Sequence, residues 1–122
     1  MTNSRMDHPA INYDGRLFRG VSNSDSGEVS SETLFRYHQD GDVLSGDYAG
    51  GDVRIGHLLG WVHNDGSLEF TYHHINVCGE LMAGRCESRA RHENGRLMLD
   101  ERWQWLTGNQ EHGTSVVMEV DE

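Results

Sequence analysis

Residues 43–76 constrain the fold of this chain more than any other stretch, because their pattern is typical of three short β-strands joined by tight turns. Apolar and polar residues alternate through the middle segment, as in a strand with one buried face. Gly50-Gly51 suits a two-residue hairpin turn, in which both central positions need a positive φ. A second turn, centred on Asp65-Gly66, leads into the third segment. The stretch therefore predicts an antiparallel meander.

The second turn can be closed in two ways that differ by one residue, and a one-residue shift would move every side chain to the opposite face. Closing it at Asp65-Gly66 predicts that His57 lies opposite His74. This register collects most apolar and aromatic side chains on one inner face, namely Leu44, Tyr48, Val53, Ile55, His57, Leu59, Trp61, Leu68, Phe70, Tyr72, His74 and Asn76. It leaves a mainly polar outer face with Ser45, Asp47, Arg54, Gly56, Glu69, Thr71 and His73. The hydrophobic pattern therefore favours this register.

Five further strands are predicted on either side of this stretch by alternation and by turn residues. They cover residues 16–22, 32–39, 80–88 and 96–106, and a last strand follows the loop at 107–113. Turn chemistry joins neighbours at Asp40-Gly41, Gly79 and Asn94-Gly95. The predicted inner residues of these strands are Phe35, Tyr37, Met82, Gly84, Cys86, Leu97, Leu99, Glu101, Trp103, Trp105, Val116, Met118 and Val120.

About eight strands with short connections predict a single all-β domain at residues 11–122, folded as an antiparallel up-and-down barrel. An open meander would leave two unpaired edges, which closure into a barrel removes. A barrel of about eight strands is filled by side chains or holds one small ligand. A β-sandwich is the alternative, although it usually needs longer crossovers. Residues 1–10 are mostly polar and are predicted to form a disordered tail.

Composition narrows the environment and the partners. The 122 residues suffice for one hydrophobic core, and the net charge of -10 argues against a nucleic-acid or anionic membrane partner. No apolar run approaches the length of a membrane span, and no secretory h-region is present, so we expect a cytoplasmic protein. Cys78 and Cys86 are predicted to be free thiols, with Cys78 in a turn and Cys86 inside.

Several separated motifs resemble one known family. They are, in order, INYDGRLFRGVSNSDSGEVSSETLFRYHQ, YAGGDVRIGHLLG, YHHIN followed by GELM, and ERWQWLTGNQ followed by GTS. Together they resemble small bacterial proteins that are often labelled N-acetylglutamate synthase or N-acetylglutamate synthase-like, over residues 11 to about 119. These proteins are thought to be avidin-like or lipocalin-like barrels. The resemblance therefore implies a barrel, and it assigns no catalytic residues.

The predicted inner face carries several polar groups, namely Tyr37, Tyr48, His57, Tyr72, His74, Asn76 and Glu101. An unpaired buried polar group costs about 1–3 kcal/mol, so these groups either satisfy one another in a filled core or face a wet cavity. Aromatic walls with a few converging polar groups are typical of small-molecule pockets. We predict a site for a compact, partly aromatic or apolar ligand, contacted by Tyr37, Tyr48, Trp61, Tyr72, Asn76, Trp103 and Trp105. The tryptophans equally suit a packed core.

Glu101 is the strongest candidate for chemistry, because it lies between Leu99 and Trp103 on a predicted inner face. Apolar surroundings raise the pKa of a carboxyl group, which suits a general acid or base near neutral pH. The structural alternative is a buried glutamate that pairs with Arg102 or another neighbour, or bonds to a tyrosine. An alternative function is therefore a cofactor-independent isomerase, cyclase or dehydratase that uses Glu101, His57 or His74.

Other sites receive less support. His57 and His74 with Glu101 as a third ligand would form a metal site, but two histidines and an unplaced carboxylate are weak signals, so we predict no metal and no cofactor. No phosphate loop or dinucleotide fingerprint is present. The serine-rich loop at 22–31 is either a lid over one mouth or an ordinary solvated loop. A third possibility is a filled barrel that acts through homo-oligomer contacts.

Overall fold

A computed structural model describes residues 11–121, and among these no helix is long and apolar enough to cross a membrane. The strands are β1 (Leu17–Asn23), β2 (Leu34–Asp40), β3 (Val43–Gly50), β4 (Val53–Val62), β5 (Leu68–Asn76), β6 (Leu81–Glu93), β7 (Arg96–Trp105) and β8 (His112–Val120). Each pairs antiparallel with its neighbours in the chain, and β1 pairs with β8 to close a barrel. The predicted all-β, eight-stranded barrel is confirmed, and the sandwich alternative is wrong. The predicted tail at residues 1–10 lies outside the described residues.

Most of the turns that the sequence predicts are present. Gly79, Asn94 and Gly95 adopt positive φ angles of 83°, 53° and 79° in the turns before and after β6. The hairpins after β2 and after β3 differ, because Asp40 pairs with Val43 and Gly50 pairs with Val53, so each turn closes one residue later than predicted. Tyr37 consequently lies opposite Gly46 instead of Leu44. The short connections force each strand to lie beside the next, which produces the up-and-down order.

The predicted register between β4 and β5 is wrong by one residue. His57 lies opposite His73 instead of His74, and Leu58 lies opposite Tyr72. A bulge near the start of β4 shifts the phase of the strand, which no alternation rule anticipates. Four residues of the predicted inner face are therefore exposed on the outside, namely Ile55, His57, Leu59 and Trp61.

Glycines on the inner face explain why the observed register is preferred. Gly56 lies opposite Tyr48, and a methyl group at Gly56 would lie only 2.5–2.8 Å from carbon atoms of the Tyr48 ring. Gly84 lies opposite Tyr72 and makes room for that ring in the same way. The predicted register turns Gly56 outward and His57 inward, and it would leave no space for the Tyr48 side chain.

The predicted inner residues of the last strand are also wrong. Ser115 and Val117 face inward and are 5% and 0% exposed. They lie opposite Glu101 and Leu99 of β7, and residues that face each other across a strand pair share one face of the sheet. The inner set of β7, which the sequence predicts correctly, therefore fixes the phase of β8. The residues predicted to face inward are only partly buried, namely Val116, Met118 and Val120.

The two ends of the barrel are built differently. At one end the segment before β1 folds across the opening, where Tyr13 is fully buried and its hydroxyl donates a hydrogen bond to the carbonyl oxygen of Gly66. The Tyr13 ring packs against Phe18 and Tyr37, which fill this end. At the other end, the β1–β2 loop at residues 24–33 covers the opening. The polar groups of the interior lie between these two covers.

Candidate ligand site

A cavity of about 40 Å³ lies inside the barrel beneath the β1–β2 loop. All eight strands contribute to its lining. Its walls carry six aromatic rings, namely Phe35, Tyr48, Phe70, Tyr72, Trp103 and Trp105. Its polar lining comprises Asn23, Glu28, His74, Glu101 and Ser115. This volume accommodates a few water molecules or one small chemical group, so a larger ligand must displace the loop.

Glu101 forms the polar floor of the cavity. It lies on β7 between Ser88 of β6 and Ser115 of β8, its opposite neighbours on the two flanking strands. The Ser115 and Ser88 hydroxyls donate hydrogen bonds of 2.9 and 3.3 Å to its carboxylate. Burial raises the pKa of Glu101 to about 7, and the two serines and Cys86 oppose this rise through their hydrogen bonds. Both protonation states are therefore accessible near neutral pH.

The pairing of Glu101 with Arg102 that the sequence allowed does not occur. Arg102 points to the outer face, where its guanidinium donates a hydrogen bond of 2.7 Å to Glu87. Serines of the flanking strands take the place of a cation around Glu101. The buried carboxylate thus has only neutral hydrogen-bond donors among the described residues.

Tyr37 lies below the cavity and does not line it. Its side chain is fully buried, and its hydroxyl has no hydrogen-bond partner among the described residues. Burial, followed by the negative charge of nearby Glu101, raises the pKa of Tyr37 well above its usual value. An unpaired buried hydroxyl is costly, so this end of the polar cluster can accept a further hydrogen-bonding group.

Three side chains form a hydrogen-bonded chain from the wall of the cavity to its mouth. The Tyr48 hydroxyl lies 2.8 Å from Nδ1 of His74, and Nε2 of His74 lies 2.7 Å from Oε1 of Glu28. A carboxylate only accepts hydrogen bonds, so Nε2 must carry the hydrogen, and the Tyr48 hydroxyl is then free to donate to Nδ1. Burial raises the pKa of Tyr48, which keeps this hydroxyl protonated. The chain fixes the orientation of the buried imidazole.

Backbone and side-chain hydrogen bonds together hold the loop at 24–33 over the mouth. At its start, the N–H of Ser24 donates to the carbonyl oxygen of Thr114 on β8 at 3.0 Å. The Trp105 indole N–H donates to the carbonyl oxygen of Ser26 at 3.1 Å, and the Asn76 amide donates to Oε2 of Glu28 at 3.1 Å. Just before the loop, the Trp103 indole N–H donates to Oδ1 of Asn23 at 2.9 Å. Each of these bonds joins the loop region to the rim of the barrel, as the lid interpretation of this loop requires.

The predicted ligand contacts fall into three groups. Tyr48, Tyr72, Trp103 and Trp105 line the cavity. Asn76 lies at the mouth, where it binds Glu28, and Tyr37 lies below the cavity. Trp61 is 51% exposed on the outer face, so its predicted inward position is wrong.

The three predicted catalytic residues do not lie together. Glu101 and His74 both line the cavity, whereas His57 is exposed outside and lies 3.0 Å from Asp47. The bulge in β4 turns His57 away from the interior, so the considered metal set of His57, His74 and Glu101 is not brought together. Within residues 11–121, no three His, Cys, Asp or Glu side chains form a group that could hold a metal ion.

Sequence reasoning missed several lining residues. Leu58 and Ser115 were placed on the wrong face, and the glycines opposite aromatic residues were the signal that could have corrected the phase of β4. Glu28 lies in a loop rich in polar residues, and nothing in its local sequence distinguishes it from the exposed Asp25. Its position depends on contacts with a strand almost fifty residues away in the chain, which local patterns do not reveal.

A wider depression on the outer surface is a weaker candidate. Its volume is about 970 Å³, and its lining includes the exposed side chains of Trp61, Arg85 and Arg102. These charged groups are solvated and have partners on the same surface, as Arg102 has in Glu87. The internal cavity instead combines burial, aromatic walls and a carboxylate without a cation, which are features of a ligand site.

Comparison with known proteins agrees with this architecture. Residues 11–120 match the model of a family described as avidin-like protein. No curated protein and no solved structure matches the chain. The match supports the avidin-like part of the resemblance in the sequence, and nothing in the comparisons supports the N-acetylglutamate synthase label. The chain therefore belongs to the avidin-like protein family.

Proposed function

We propose that this protein binds a compact, partly aromatic or apolar small molecule inside the barrel, beneath the loop at 24–33. One observation carries the proposal: six aromatic rings and the buried polar groups Glu101 and His74 converge on one cavity. Such a combination is typical of small-molecule pockets and unnecessary for a core that only needs to be filled. Membership of the avidin-like family is consistent with ligand binding.

The arrangement suggests how a ligand would be held. The rings of Tyr72, Trp105 and Trp103 form a continuous aromatic wall. Trp105 lies in the middle, and its ring centroid is 5.7 Å from that of Tyr72 and 5.7 Å from that of Trp103. Glu101 would meet a polar group of the ligand at the floor. The loop would move outward to admit a ligand larger than the present cavity and then close over it.

Tryptophan fluorescence offers a direct test, because two of the three tryptophans line the cavity and the third is outside. The W61F substitution removes the external emitter and leaves Trp103 and Trp105 as reporters. We expect a member of a panel of small metabolites to change the emission of the W61F protein and to raise its melting temperature. A panel that changes neither quantity would contradict the proposal.

A matched pair of substitutions then locates the binding site. Leu58 lines the cavity, and its neighbour Leu59 is 60% exposed on the outer face. We expect L58F to fill the cavity and weaken binding by about tenfold or more, and L59F to leave the affinity unchanged. Thermal unfolding would verify that both proteins fold. Equal affinity in both variants would place the ligand outside the barrel.

A second candidate function is a cofactor-independent proton-transfer enzyme of the isomerase, cyclase or dehydratase type. The observation that favours it is the pKa of Glu101, raised by burial to about 7, in a cavity that also holds an oriented His74. If a bound metabolite is converted, the E101Q protein should still bind it and turn it over at least about a hundredfold more slowly. Binding without conversion in the wild-type protein would favour the binding function. No observation favours N-acetylglutamate synthase activity.

A further inference from the structure

Among the described residues, the charged side chains that line the cavity are all acidic. The lining contains the carboxylates of Glu28 and Glu101 and no lysine or arginine. Glu28 is matched by strand residues, because it accepts hydrogen bonds from His74 and Asn76. In residues 11–121, the hydrogen-bond donors to the Glu101 carboxylate are the hydroxyls of Ser88 and Ser115 and the thiol of Cys86. The floor of the cavity thus carries a buried negative charge, when ionised, without a cationic partner.

The aromatic walls above this carboxylate are also suited to a cation. The faces of aromatic rings attract cations, and this attraction is strongest where water is excluded. Trp105 lies at the centre of an aromatic group, 5.7 Å between ring centroids from each of Tyr72, Trp103 and His74. A cation seated here would contact these aromatic rings on its sides and the Glu101 carboxylate below.

Other ligand charges fit the cavity less well. An anion would be repelled by two carboxylates, and a neutral ligand would leave the charge of an ionised Glu101 compensated only by the hydrogen bonds from Ser88, Ser115 and Cys86. The net charge of the whole chain, -10, also raises the local concentration of cations at its surface and accelerates their arrival.

We propose that the ligand is a compact organic cation, such as a primary ammonium ion, whose charged head pairs with Glu101 and whose body contacts the aromatic walls. This inference rests on the proposed function, since it names the chemical class that the same cavity accepts. Tyr37 does not line the cavity, and the charged head therefore meets Glu101 as its principal polar contact.

Matched pairs of ammonium ions and alcohols test the charge without changing the shape of the probe. The probes are ethylammonium, isobutylammonium and benzylammonium, each compared with ethanol, isobutanol or benzyl alcohol. Titrations at about pH 8, where Glu101 is mostly ionised, would follow Trp103 and Trp105 emission in the W61F protein and heat by calorimetry. We expect at least one ammonium ion to bind about tenfold or more tightly than its alcohol.

Two substitutions then assign this preference to one carboxylate. E101Q keeps the size and hydrogen-bonding shape of the floor and removes its charge, so the preference for ammonium over alcohol should fall by about tenfold or more. E69Q removes the same charge from an exposed position on the outer face of β5 and should leave the preference unchanged.

The outcomes separate this inference from the proposed function. Alcohols that bind as tightly as ammonium ions, or a preference that survives in E101Q, would overturn the cation assignment and leave a ligand-binding barrel in place. The absence of any ammonium binding would overturn the inference as well. The proposed function itself would be contradicted only if no member of the metabolite panel changed the emission or the melting temperature of the W61F protein.

Discussion

Glu101 occupies a position in which strand pairing determines its surroundings. Its two opposite neighbours across the flanking strands are both serines, and both donate hydrogen bonds to its carboxylate. The sequence predicts its inward direction and the rise of its pKa, because β7 alternates cleanly between apolar and polar residues. It does not predict the serine partners, since finding Ser115 required the correct phase of β8. A single buried group was therefore more predictable than the contacts that stabilise it.

The raised pKa of Glu101 predicts a pH-dependent stability. In the folded protein this pKa is about 7, against an ordinary value of 4.5, so the native state binds more protons than the unfolded chain between these values. The stabilisation is complete below about pH 4.5 and is lost as the pH rises through about 7. The loss approaches about 3 kcal/mol, from 1.36 kcal/mol per pKa unit. Denaturant unfolding from about pH 5 to 8 measures it.

Two glutamine variants separate this effect from the titration of other groups. Glutamine cannot titrate, so the free energy of unfolding of E101Q should decline less than that of the wild-type protein over the same pH range. E87Q, which neutralises an exposed glutamate whose partner Arg102 does not titrate in this range, should follow the wild-type curve. Parallel curves for E101Q and the wild-type protein would show that Glu101 does not titrate in this range.

At the scale of elements, the loop at 24–33 is the part of the barrel whose attachment depends most on side chains. Glu28 enters the interior from this loop, and its carboxylate bonds to His74 and Asn76 of β5. Strands stay in place through many backbone hydrogen bonds, whereas this loop has backbone bonds to the strands near its two ends and side-chain bonds to the rim between them. The loop is thus the natural element to open first.

Removing the Glu28 carboxylate should loosen the loop. Hydrogen bonds to charged groups contribute about 1.5–3 kcal/mol each, and E28A deletes the acceptor of two of them. We expect acrylamide to quench Trp103 and Trp105 more efficiently in a W61F/E28A protein than in W61F alone. The control is D25A, which removes an exposed carboxylate from the same loop. Equal quenching in the two loop variants would show that Glu28 does not hold the loop closed.

The strands themselves were more predictable than their registers. All eight strands and the inner set of β7 follow from alternation and turn residues. The register of β4 does not, because Leu58 and Val62 face inward while Leu59 and Trp61 face outward, so both faces of this strand carry large apolar side chains. A bulge then decides between the two phases, and its position depends on packing against rings of the neighbouring strands.

Across the whole molecule, the barrel wall is least continuous between β1 and β2. Strand pairing there joins three residue pairs, from Leu17–Arg36 to Arg19–Leu34. By comparison, β6 and β7 pair from Gly84–Trp105 through to Glu93–Arg96. This short β1–β2 pairing, called the seam below, lies beside the loop that connects β1 to β2. We therefore expect the loop to open and the two strands to separate locally at the same time.

Amide hydrogen exchange tests this expectation. The N–H of Tyr37 donates to Arg16 across the seam at 2.9 Å, and the N–H of Gly20 donates to Thr33 at 3.2 Å. We expect these two amides to exchange faster than amides in the middle of the β6–β7 pair, because a local opening that breaks few bonds is enough to expose them. Uniform protection around the barrel would indicate that it opens only by global unfolding.

The pairing that closes the barrel also determines how the protein could be used. Val120, at the end of β8, pairs with Leu17 at the start of β1, beside the end that Tyr13 covers. The cavity and its covering loop lie towards the opposite end. A linker joined after Val120 would therefore leave the barrel on the side away from the cavity. A protein immobilised on a sensor chip through such a linker would present the mouth of the cavity to the flowing sample, an orientation suited to measuring the proposed ligand binding.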